Sequence, residues 1–93
     1  MMRLNYLKSY DRSFKKLTSL QQENAIKAID TLIELIKTGK KPQGLGLKKV
    51  RSDYWEMRLS VKNRIIFEFK GDVINFAFVG AHNEVKKFLK GKD

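Results

Sequence analysis

Ninety-three residues, 42% of them hydrophobic and a single one proline, hold enough apolar material for one packed core and not for a second. Without cysteine there are no disulfides or thiolate metal sites, and without an apolar leader or a run near the roughly 18 apolar residues of a membrane span neither secretion nor insertion is indicated. Twenty Lys and Arg against ten Asp and Glu leave a formal charge of +10, which points to a polyanionic partner, nucleic acid first, in a reducing cytoplasm.

In chain order, Leu4 to Leu7 predicts a short opening strand, followed by a helix capped at Ser9 or Asp11 and running through Phe14 and Leu17. A second helix starts at the capping-box spacing of Ser19 and Gln22. Ile26, Ile29, Ile33 and Ile36 follow at intervals of three and four, with Leu32 and Leu35 widening the apolar stripe. Lys37, Gly39 and Pro42 end it, because a cation suits the negative helix terminus, glycine accepts a left-handed position and proline cannot continue the helix. A loop through Gly44 separates this helical half from one whose apolar period is close to two.

Four strands are predicted there, at Leu45 to Val50, Tyr54 to Val61, Arg64 to Phe69 and Val73 to Val79, with spacings that suit an antiparallel meander. Alternation puts Trp55, Met57, Leu59 and Val61 on the core face, and Tyr54, Glu56, Arg58 and Ser60 on the opposite, solvent face. It likewise turns Ile65, Phe67 and Phe69 inward and Arg64, Ile66 and Glu68 outward, and places Ile74, Phe76 and Phe78 inward. Asn83 is the expected cap of a terminal helix carrying Val85, Phe88 and Leu89. The whole reads as one α+β domain over residues 1–93, an opening strand and two helices packed on a mainly antiparallel sheet of four to five strands, with a short C-terminal helix.

Most catalytic motifs are absent. Gly44-Leu45-Gly46 leads into a strand and lacks the third glycine and the acidic residue of a dinucleotide site. One histidine and no cysteine leave too few ligands for a metal centre, and a Ser-His-Asp hydrolase has no support beyond the presence of the residue types. What the sequence does carry is a ladder of cations, Lys48, Lys49, Arg51, Arg58, Lys62 and Arg64, in which one hairpin brings Arg58 and Arg64 together on one sheet face. Cations in strands serve folding poorly unless Glu56 or Glu68 balances them or a phosphate binds them. Glu56 is therefore read either as a cross-strand partner of an arginine or as an acid-base group. His82, at the end of the last strand, is the single side chain that titrates near neutrality.

The runs Trp55-Glu56-Met57-Arg58-Leu59-Ser60, Asn63-Arg64-Ile65-Ile66-Phe67-Glu68-Phe69 and Phe78-Val79-Gly80-Ala81-His82-Asn83-Glu84-Val85, with Gly46-Leu47-Lys48-Lys49 before them, resemble the RelE-like mRNA interferases of the RelE/ParE toxin superfamily. The resemblance covers nearly the whole chain. It implies the toxin of a type II toxin-antitoxin module: an endoribonuclease, ribosome-dependent or free, in which the ribose 2′-hydroxyl attacks the adjacent phosphate without metal or other cofactor. Arg58 and Arg64 would hold and stabilise the phosphate, His82 would act as general acid or base, and Glu56 as a general base. Lys48, Lys49, Arg51 and Lys62 would position messenger or ribosomal RNA. A small, acidic antitoxin is the implied partner, with the free toxin monomeric and the complex a hetero-oligomer. Several relatives carry a functional tyrosine in the terminal segment; residues 83–88 here have none, which leaves proton transfer to His82 and Glu56. The alternatives are a ParE-like inhibitor of DNA gyrase and a non-catalytic relative that only binds its antitoxin.

Overall fold

A computed structural model describes residues 2–39, 46–51 and 53–91. Five strands and three helices follow one another as β1 (Arg3–Tyr6), α1 (Lys8–Lys15), α2 (Ser19–Thr38), β2 (Lys48–Lys49), β3 (Tyr54–Arg58), β4 (Asn63–Lys70), β5 (Val73–Ala81) and α3 (His82–Lys90). The strands form one sheet in the order β1-β5-β4-β3-β2; β1 lies parallel to β5 and every other pair is antiparallel, so the expected α+β architecture and meander are present. No helix of the described residues is long and apolar enough to cross a membrane.

Both faces of the sheet are covered. On one, Tyr10 of α1 and Ala25, Ala28, Ile29 and Leu32 of α2 pack on Met57, Ile65, Phe67, Ile74, Phe76 and Val79. On the other, α3 lays Val85 over Ile66 and Ala77, with Leu7, Tyr54, Phe78, Phe88 and Leu89 around them. The face that alternation assigns to solvent is therefore half apolar, and Ile66 is fully buried on it.

A β-bulge decides where Phe78 goes. Across β4 and β5, Ile66 faces Phe78 while Phe67 faces Phe76, which leaves Ala77 without an opposite residue. The extra residue shifts the pleat by one, so Phe76 and Val79 enter the main core while Phe78 turns to the α3 face. There it stacks on Phe88, ring centroids 4.9 Å apart, rather than pointing inward as simple alternation predicts.

Other boundaries move for local reasons. The cap of α2 is Thr18, whose hydroxyl accepts from the Gln21 N–H while the Gln21 side chain accepts from the Thr18 N–H, one residue before the expected pair. Ile26 is 52% exposed, because the buried stripe of α2 runs through Ala25 and Ala28, whose small side chains let the helix approach the sheet. Gly39 does close α2 in the left-handed region at φ 72°. Pro42, Gly44 and Leu45 lie outside the described residues, and β2 is two residues long rather than the six of Leu45 to Val50. β3 ends at Arg58, since the Ser60 hydroxyl accepts the N–H groups of Lys62 and Asn63 and turns the chain, leaving Val61 91% exposed. Phe69, expected inward, is also exposed, though its ring meets Trp55 and Phe67 edge-on.

Leu7, not Ser9 or Asp11, occupies the cap position of α1, and Leu17 lies beyond its end. The two serines of α1 have another use. β1 pairs with β5 only as far as Phe76, so the following edge of β5 would be left with open hydrogen-bonding groups. Ser9 donates to the Ala77 carbonyl, and one turn later the buried Ser13 hydroxyl accepts from the Val79 N–H at 3.1 Å. Helix α1 thus takes the place of a strand along the β5 edge.

Candidate functional site

Arg58 and Arg64 are direct Cα partners across the β3–β4 hairpin, so both side chains leave the same face. Like charges placed opposite each other destabilise a sheet unless something balances them. For Arg64 that partner is Glu56, two residues before Arg58. Its Oε2 lies 3.6 Å from Arg64 Nε and 3.7 Å from Lys48 Nζ, and its side chain is only 8% exposed. Arg64 is equally held from the other end: Nη1 donates to the carbonyls of Ser60, Val61 and Asn63 at 2.9, 3.3 and 3.1 Å. The guanidinium therefore closes the β3–β4 turn while the Glu56 carboxylate fixes its stem.

Arg58 differs. It is exposed, and among the described residues no carboxylate comes within ion-pair distance of it. Its position comes from Gly46. That glycine stands at φ 61°, and a Cβ there would lie 3.1 Å from Arg58 Cβ and 3.4 Å from Nε, so the side chain passes directly over the glycine backbone. From the sequence, Gly46 has only a general role in shaping the loop. Gly71 has nearly the same φ, 60°, but a Cβ on it would meet nothing within 4 Å, which separates the two glycines in kind.

The remaining site residues scatter. Lys48 faces Glu56, whereas Lys49 faces Trp55 and so leaves the opposite face of the sheet. Arg51 donates from Nη1 to the Leu89 carbonyl at 3.2 Å and so binds the C-terminal end of α3. Lys62 is exposed in the β3–β4 turn, and its carbonyl accepts the backbone N–H of His82 at 3.1 Å. His82 is the first residue of α3: the cap is Ala81, whose N–H is taken by Glu84 Oε1 at 3.1 Å, and not Asn83. Register pairs Arg64 with Gly80 and Asn63 with Ala81, so the helix carrying the exposed His82 starts beside the strand carrying Arg64. Tyr54 packs edge-on against Phe88, and burial together with the Glu68 carboxylate holds its hydroxyl above the usual tyrosine range. No group of three His, Asp or Glu side chains suited to a metal occurs among the described residues.

No family model matches the chain. No curated protein matches it. Solved structures do. The toxin in a RelB-RelE antitoxin-toxin complex from Methanococcus jannaschii superimposes with a TM-score of 0.69 at 19% identity, over 90% of this chain and 96% of that one. YafQ from a DinJ-YafQ complex of E. coli gives 0.67 at 14% identity, over 91% and 98%. A copper-bound mutant toxin from Helicobacter pylori gives 0.70 at 18% identity, over 91% and 99%. The mixed sheet, the helix pair on one face and the short helix on the other thus form the fold of RelE-like toxins.

Proposed function

We propose that the protein is the toxin of a type II toxin-antitoxin module and cleaves messenger RNA at the face formed by Arg58, Arg64, Glu56 and His82. The observation that carries this reading is the cross-strand arginine pair: Glu56 balances Arg64, but nothing among the described residues balances Arg58, which the fold nevertheless presents on a shaped glycine. An exposed, unneutralised guanidinium beside a second one is a fork for a phosphodiester.

In the reaction the ribose 2′-oxygen attacks the adjacent phosphorus and the bond to the 5′-oxygen breaks, leaving a 2′,3′-cyclic phosphate and a free 5′-hydroxyl. One proton leaves the 2′-hydroxyl and one is delivered to the 5′-oxygen. Arg58 and Arg64 bind the phosphate and stabilise the charge that builds on its oxygens. His82 carries one proton transfer. Glu56 holds Arg64 in place and is the group available for the other. The toxin-antitoxin complexes among the similar structures support an antitoxin as regulator, and the overall +10 charge supports an acidic one and an RNA target, read as message on the ribosome.

The test is to add purified protein to translating ribosomes and map the ends of the message. Cuts that disappear with Arg58→Ala are expected. Intact message, together with normal growth on expression, would overturn the reading, and loss of gyrase supercoiling in the presence of the protein would replace it with the ParE-like one.

A further inference from the structure

A groove of about 560 Å³ runs between α1 and α3 along the end of β5. Its rim carries Arg12 and Lys16, one helical turn apart at the end of α1, and Lys62 from the β3–β4 turn. Among the described residues none of these side chains meets a carboxylate within ion-pair distance. Glu84 also lines the groove, but its Oε1 is taken by the Ala81 N–H. The wall on the α3 side is the stacked pair Phe78 and Phe88. At its far end the groove reaches Ala81, next to His82, and Lys62, whose carbonyl holds the His82 N–H.

Unpaired cations along one wall and aromatic rings along the other are what a single nucleic-acid strand requires: charges for successive phosphates and π-faces for bases. A nucleic-acid strand brings a π-face with every phosphate, whereas an acidic peptide would need apolar side chains between its carboxylates to use both walls. We infer that this groove binds the nucleotides of single-stranded RNA that flank the phosphate held by Arg58 and Arg64, so that one strand passes His82 between the two. The inference rests on the RNA reading proposed above and deepens it, adding Arg12 and Lys16 as RNA-binding residues.

The probe is a fluorescent, fully 2′-O-methylated RNA, which binds but has no nucleophile for cleavage, in a short and a longer form. Anisotropy is read over a salt series with the wild-type protein, Arg12→Gln/Lys16→Gln/Lys62→Gln, and Arg58→Ala. Removing three phosphate contacts should flatten the slope of log affinity against log salt by about 2 for the longer RNA, at roughly 0.7 per contact. The short RNA should lose less with the triple variant and be affected mainly by Arg58→Ala. The three substitutions are on the surface, so circular dichroism should show an unchanged fold. An unchanged slope for the longer RNA would overturn the inference. So would competition by an acidic peptide that the triple variant abolishes while RNA binding persists, which would assign the groove to a protein partner. If the wild type fails to cut message on ribosomes yet the slope falls as stated, the cleavage reading fails and the groove stands.

Discussion

Arg58→Ala and Arg64→Ala should separate what the site does from what the fold needs. Arg64 is 16% exposed, shares its Nη1 among the carbonyls of Ser60, Val61 and Asn63, and sits against a Glu56 side chain that is 8% exposed. Truncating it removes charge-assisted hydrogen bonds and leaves Glu56 to Lys48 alone, which is itself 64% exposed. Hydrogen bonds to charged groups contribute about 1.5–3 kcal/mol, and a residual partner for Glu56 keeps the loss below that of a stranded buried charge, so about 2–3 kcal/mol is expected. In a domain of this size that lowers Tm by roughly 10–20 °C. Arg58 has no ion-pair partner among the described residues to strand, so Arg58→Ala should stay within about 0.5 kcal/mol of wild type. Both should abolish cleavage. The assays are urea unfolding followed by circular dichroism, with message cleavage measured in parallel. If Arg58→Ala unfolds as readily as Arg64→Ala, or Arg64→Ala is as stable as wild type, the division of roles is wrong.

Gly46→Ala and Gly71→Ala suffer the same left-handed strain, about 1 kcal/mol each, yet only the first pushes on Arg58. Cleavage should therefore fall roughly tenfold in Gly46→Ala and stay unchanged in Gly71→Ala, and equal activities would remove Gly46 from the site. Ser13→Ala strips the Val79 N–H of its partner on the β5 edge and should cost about 1–3 kcal/mol, read as a lower urea midpoint with an unchanged slope. Tyr10 is 3% exposed, and burial, then Tyr6 and Asp11, raise its hydroxyl above the ordinary 10.0. A raised folded value means that the neutral form stabilises the fold below the unfolded value and that this stability is lost as pH climbs past it. Melting temperature should thus drop above about pH 10, and less so in Tyr10→Phe than in wild type; parallel curves would refute it.

The element order was legible in the sequence because each signal acts over a few neighbours. The isoleucine spacing of α2, the left-handed Gly39 and the turn residues Lys62 and Gly71-Asp72 each dictate local backbone whatever surrounds them. That Arg58 and Arg64 lie one hairpin apart is equally local, but their direct opposition depends on β3 ending at Arg58, because a strand running to Val61 with a turn at 62–63 would set Arg64 against Val61. Caps were less secure: Thr18 and Ser19 carry the same hydroxyl, and which one leaves the helix depends on where α1 ends.

Tertiary structure alone decided the rest, because it depends on what is packed against what. The bulge at Ala77 sends Phe78 to the α3 face, a shift of one residue invisible to an alternating pattern that fits either phase. Ser9 looks like a helix cap but is used on a strand edge that exists only once β1 has stopped at Tyr6. Lys48, Lys49 and Arg51 form one basic run in sequence, yet the pleat and α3 send them to Glu56, to the opposite face and to the Leu89 carbonyl. The sequence by itself determined which charges and helices the protein has. Only the folded chain decided which arginine is neutralised and which is left exposed, because that is set by distances between segments that composition and period do not encode.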